Sequence, residues 1–124
     1  MRFDMDVARQ ILLAIEATPA NQYPDDVTLE DVDEDTVLEH IALLIDKGLI
    51  DGKTIPGGMG DKRLYGVHIE GLTWNGHEFL ANARNEQVWS KTKSFVKEKG
   101  GSISFEILKA LLLKIAAQHV GLAV

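Results

Sequence analysis

"LEHIALLIDKGLIDGK", Leu38 to Lys53, is the stretch whose reading decides the fold. Ile41, Leu44 and Ile45 recur at helical spacing, and then Lys47-Gly48 gives way to the β-leaning Leu49 and Ile50. Glycine reaches the left-handed conformation that closes a helix, so Gly48 marks a stop. Backward from there, Val37 and Leu38 extend the apolar stripe, and Asp33 or Asp35 is placed to cap it. The spacing predicts a helix over Glu34 to Lys47. Forward, two β-leaning pieces, Leu49 to Ile55 and Arg63 to Ile69, flank "PGGMGD", Pro56 to Asp61. A proline and three glycines bend that loop into a hairpin with an exposed tip. Tyr65, Val67 and Ile69 alternate with Gly66 and His68, as one half-buried strand face requires.

Upstream, "DMDVARQILLAIEAT" starts with Asp4 at an N-cap position and places Val7, Ile11, Leu12 and Ile15 on one side. That is a helix over Asp4 to Ala17. Pro19 and "NQYPDD" break the chain, and "VTLEDV" has room for a short strand or turn at Val27 to Leu29. Downstream, "TWNGHEFLANAR" from Thr73 reads as a helix with Trp74, Phe79 and Leu80 facing inward. "NEQVWSKTKSFVKEKGG" repeats the pattern with Val88, Trp89, Thr92, Phe95 and Val96, and Trp74 and Trp89 are both expected in the core. "SISFEILKALLLKIAAQHV" follows, capped by Ser104, with Ile107, Leu108, Leu111, Leu112, Ile115 and Val120 as its apolar set.

Helix, turn, helix, strand, glycine-rich loop, strand, helix is the order of a winged helix-turn-helix. The expectation is therefore an α+β fold: one winged-helix-like domain over residues 1–124, its core about 4–86. Two helices are appended over about 87–120. One domain also suits a chain of 124 residues.

"RFDMDVARQILLAIE", "HIALLIDKGLI", "LTWNGHEFLANAR" and "VWSKTKSFVKEKGGSISFEILKAL" occur here in that order. In this the chain resembles the domain-of-unknown-function family 2513, found largely in phages and prophages. Leu72-Thr73-Trp74, Gly76-His77 and Val88-Trp89 are the most specific parts of the match. The resemblance implies a winged-helix-like fold and a mobile-element setting. It brings no activity and no catalytic residue.

Charge raises the functional question. The net charge is −6, yet Gln10 to Asp46 holds ten acids and no Lys or Arg, while 47–124 holds eleven bases against seven acids. The helix before the hairpin carries Glu34, Asp35, Glu39 and Asp46 against Lys47 alone. A winged helix normally places that helix in the major groove. Acids there repel the phosphates that DNA binding has to neutralise. This helix is therefore not expected to read DNA. Asp31, Asp33, Glu34, Asp35 and Glu39 are instead the candidate face for a protein partner, by docking on a basic surface or imitating the charge of DNA. The alternative is a backbone grip by Lys53, Lys62 and Arg63 around the wing together with Lys91, Lys93 and Lys97.

Catalysis finds no foothold. His40, His68, His77 and His119 lie on four elements and match no paired-ligand spacing, although His68 and Glu70 share a strand face. His77 reads as a helix-surface residue. No serine sits in a G-x-S-x-G context, and the loop glycines precede a strand rather than the helix a phosphate loop needs. A non-enzyme with no metal and no cofactor is expected. The chain has no cysteine, so disulfides and thiolate metal sites are excluded. Its apolar runs are too short to span a membrane, and "MRFDMD" is wrong for a secretory signal, so a soluble cytoplasmic protein is expected. The last helix spreads Leu111, Leu112, Leu113 and Ile115 over more than one face, which allows a homodimer through it.

Overall fold

A computed structural model describes residues 2–58 and 64–121. Its elements are α1 (Met5–Glu16), α2 (Glu34–Asp46), β1 (Ile50–Pro56), β2 (Leu64–Leu72), α3 (Trp74–Ala83), α4 (Glu86–Glu98) and α5 (Phe105–His119). Among the described residues, five helices and one two-stranded antiparallel hairpin make it an α+β fold, and the order fits a winged-helix-like arrangement. Seventeen residues of turn and irregular backbone, 17–33, join α1 to α2. A helix-turn-helix uses a turn of roughly 3–4 residues. Two compact units divide the chain, one ending at His77 and the other starting at Glu78.

The first unit is built from local signals that propagate into packing. Asp4 caps α1, its carboxylate accepting from the amides of Asp6 and Val7. Asp33 caps α2 through the Thr36 amide at 2.7 Å, which settles the choice between Asp33 and Asp35. Gly48 takes φ +78° just beyond the α2 C-cap Lys47, and the chain turns at once into β1. Val7, Ala8, Ile11, Leu12 and Ile15 of α1 meet Val37, Ile41 and Leu44 of α2, and Leu49, Ile50, Val67 and Ile69 close the core from the hairpin. Val67 and Ile69 are buried while His68 is not, as the alternation predicts.

No strand forms at Val27 to Leu29. That segment has no partner strand, and the chain instead turns at Glu30–Asp31, where Asp31 takes φ +62°. The hairpin starts at the expected place and runs three residues further, to Leu72. Register shifts interrupt it, and the one at Asp51/Gly52 leaves Glu70 without a partner on β1. Pro56 and Gly58 at the approach to the hairpin loop are exposed; Met59, Gly60 and Asp61 lie outside the described residues.

Thr73 ties α3 to the end of α2. Its amide donates to the Leu49 carbonyl at 3.0 Å, and its hydroxyl donates to the Gly48 carbonyl at 2.5 Å while accepting from the Gly76 amide. Trp74 corrects an expectation: it is 77% exposed. The inward stripe of α3 is Gly76, Phe79, Leu80 and Ala83, and at 100° per residue Trp74 falls on the opposite side.

In the second unit Asn85 caps α4 and Ser104 caps α5, the latter as expected. Trp89 is buried as expected, edge-on to Phe79 at 6.4 Å, and Phe79 stacks on Phe105 at 5.7 Å. Thr92 is fully buried with its hydroxyl donating to the Val88 carbonyl. Phe95 is exposed, off the edge of the Val88–Trp89–Thr92–Val96 stripe, and the Lys99 ammonium covers its ring at 5.5 Å. On α5 only Leu108 and Leu112 are buried; Ile107 and Val120 are exposed, because the helix meets α4 along one narrow face.

Candidate functional site

The acidic face stands on the start of α2 and the turn before it. Asp31, Asp33, Glu34, Asp35 and Glu39 are all exposed. Asp33 has a structural duty as well, because Thr36 holds its carboxylate charge: hydrogen bonding from Thr36 lowers its pKa below the ordinary 3.8. Glu34 and Asp35 lie in the first turn of α2, where the helix dipole favours negative charge. Their presence there has a local stabilising reason whatever they meet. Farther along α2, Glu39 and Asp46 are exposed with no such reason.

The basic candidates divide. Lys53 is exposed on β1, and Lys91, Lys93 and Lys97 are exposed on α4. Lys93 and Lys97 share a face at i,i+4, but Lys91 projects roughly 120° or more around the helix from either. Lys62 and Arg63 lie outside the described residues.

Two histidines in the first unit carry the densest polar geometry. His40 is fully buried on α2, its Nε2 accepting from the Asp4 amide at 2.9 Å and its Nδ1 donating to the Thr36 carbonyl at 2.8 Å. Phe3 stacks on the ring at 5.6 Å. The neutral Nδ1–H tautomer satisfies both partners, so His40 pins the cap of α1 to α2 and is structural. Its position inside the apolar stripe, one residue before Ile41, was the sequence signal for burial.

His68 is different. Its Nδ1 lies 3.2 Å from Asp25 Oδ2 and its Nε2 lies 3.0 Å from Glu70 Oε1, with the Tyr23 ring 5.1 Å away. Asp25 also accepts the Ile69 amide through Oδ1 at 2.7 Å. The sequence shows the His68–Glu70 half of this cluster; Asp25, 43 residues away, could not be paired with it from spacing. His77, as expected, is an exposed helix residue.

In the second unit an open groove of about 280 Å³ runs between the α3–α4 junction and the end of α5, lined by Ala81, Asn82, Val88, Leu113, Ala117 and Val120. Its walls are mostly apolar and hold neither an acid–base pair nor a nucleophile arranged for covalent chemistry. Among the described residues no helix is long and apolar enough to cross a membrane.

Fold and surface thus define an α+β protein of winged-helix-like order whose prominent polar features are surface charge and a carboxylate-flanked histidine. The chain belongs to the family described as "Hypothetical protein (DUF2513)", whose profile matches residues 2–102 and so stops short of α5. A relative from Haemophilus influenzae (strain ATCC 51907 / DSM 11121 / KW20 / Rd), described as "Uncharacterized protein", is 31% identical over 121 residues, covering 95% of this chain and 98% of that one. No solved structure matches the chain.

Proposed function

We propose that the protein is a non-catalytic binding module of a phage or prophage that engages a basic protein partner through Asp31, Asp33, Glu34, Asp35 and Glu39. The observation that carries this reading is the exposed surface of α2. The helix in the recognition position presents Glu34, Asp35, Glu39 and Asp46, and Lys47 follows as its C-cap. The irregular 17-residue link before it, where a helix-turn-helix has a short turn, supports the same reading. The alternative is DNA held through Lys53, Lys62, Arg63, Lys91, Lys93 and Lys97.

One set of variants separates the two. Changing the five acids to their amides keeps the α2 cap, because Asn caps as well as Asp. On the proposed reading, those amides abolish a salt-sensitive complex with a basic protein partner captured by crosslinking, and DNA affinity stays weak in every form. If DNA is the ligand, replacing Lys62, Arg63, Lys93 and Lys97 flattens the dependence of affinity on salt by about 3–4 units, close to one per phosphate contact. Nanomolar, sequence-selective binding that survives loss of those four bases but fails when the exposed face of α2 is altered would sink the proposal.

A homodimer through α5 belongs to the same proposal. The observation in its favour is the exposure of Ile107 and Leu113 on α5 and Val120 at its C-cap. Truncation after Lys109 should then leave a monomer or an unfolded chain. Light scattering that finds only monomer in the intact protein at high concentration ends the dimer.

A further inference from the structure

His68 stands between two carboxylates that reach it from different parts of the chain. Glu70 is two residues along β2 and has no partner across the hairpin, which leaves its side chain free to turn toward the ring. Asp25 belongs to the irregular segment between α1 and α2. Both contacts are to carboxylate oxygens. A neutral imidazole has a single N–H, so only the imidazolium donates to both. Once the proton leaves, one ring nitrogen turns a lone pair toward a carboxylate, and that contact breaks.

The two contacts are unequal. The Glu70 contact is shorter, 3.0 against 3.2 Å, and spans two residues rather than 43. Asp25 has a second bond to fall back on, the Ile69 amide at 2.7 Å. Lys53 is the register partner of His68 across the hairpin, and Asp51 is exposed on the same strand. The Tyr23 ring lies tilted against the imidazole at 5.1 Å. The helices α1 and α2 cover the opposite face, where Val67 and Ile69 are buried, and the buried His40 of α2 is committed to Asp4 and Thr36.

We propose that His68 is a proton-dependent clasp: protonated, it adds a second tie between Asp25 and β2, and deprotonated, it keeps Glu70 and lets Asp25 go, leaving the Tyr23–Asp25 segment held to β2 by the Ile69 amide. The pKa direction agrees with that geometry. Donation from the ring to Glu70 first and to Asp25 second raises the His68 pKa above the ordinary 6.5, against a smaller opposing effect of burial. A raised folded pKa means that the stabilisation is fully present below the unfolded value near 6.5 and is lost as pH climbs through the folded value. The clasp is therefore closed in mild acid and loosens on the alkaline side. It is a property of the chain alone and stands or falls independently of any partner at the neighbouring acidic face.

Nitrogen-15 NMR of the full chain across about pH 5 to about pH 9, the range in which histidine titrates, tests it. The His68 midpoint should lie above 6.5, the Ile69 amide should titrate with the same midpoint, and the ring should finish as the Nε2–H tautomer. Asp25→Asn should lower the midpoint and remove the titration from Ile69, while Glu70→Gln should lower the midpoint further. A midpoint at or below 6.5, a final Nδ1–H tautomer, or an Ile69 amide indifferent to pH each overturns the clasp. The tautomer is read on the native protein, so the test decides the matter even where a variant does not fold.

Discussion

Trp89→Ala is expected to destabilise the protein by about 3–5 kcal/mol, the cost of removing a large aromatic side chain from a core. Trp89 is 3% exposed and meets Phe79 edge-on at 6.4 Å, and Phe79 in turn stacks on Phe105. Deleting the indole loses its own burial and leaves Phe79 facing a void. Trp74→Ala, by contrast, should stay within about 0.5 kcal/mol, as surface substitutions do, because Trp74 is 77% exposed. Urea denaturation followed by far-UV circular dichroism measures both. Fluorescence gives an independent reading: Trp74→Phe leaves a blue-shifted emission that acrylamide barely quenches, and Trp89→Phe leaves a red-shifted one that it quenches readily. Equal denaturation midpoints for the two alanine variants would contradict the packing of the second unit.

Gly76→Ala should cost about 2 kcal/mol net, an unusual sign for a glycine-to-alanine change inside a helix. Alanine is favoured over glycine there by about 1 kcal/mol. A Cβ on Gly76, however, would fall on the Leu49 carbonyl oxygen, which already accepts the Thr73 amide. Overpacking typically costs about 1–3 kcal/mol when side chains can give way. The obstacle here is backbone, tied down on both sides by Thr73, so the top of that range applies. Gly66→Ala on β2 is the control: its Cβ would meet nothing within 4 Å, and the change should be neutral to within about 0.5 kcal/mol. If Gly76→Ala denatures at the same urea concentration as the native chain, the close approach of α3 to the start of β1 is wrong.

Element order was legible because its signals are short-range. An aspartate before an apolar stripe caps a helix through amides two or three residues on, so Asp4, Ser104 and one of the Asp33/Asp35 pair could be read directly. Gly48 ends α2 because the left-handed turn suits glycine, and Val67 and Ile69 alternate because a strand has a period of two. The acidity of α2 needed no coordinates. Trp74 departs from its expected burial because hydrophobicity says that a side chain can be buried, while the phase of the helix says whether it is. With Gly76, Phe79, Leu80 and Ala83 inward, the first residue of α3 had to point away. Phe95 lost its place in the same way, one step beyond the edge of the α4 stripe.

The sequence by itself determined the caps at Asp4 and Ser104, the helix and strand order, the hairpin and the charge asymmetry, since helix caps, strand alternation and turn residues act over short stretches of chain. Only the tertiary structure decided what His40 and His68 do. Each has one partner close in the chain, Thr36 for His40 and Glu70 for His68, while the second arrives from 36 and 43 residues away, Asp4 to one and Asp25 to the other. His40 became a neutral peg because packing offered it one donor and one acceptor. His68 became a candidate proton sensor because packing offered it two acceptors. No local propensity encodes that difference; it follows from which distant groups the fold brings within hydrogen-bonding reach.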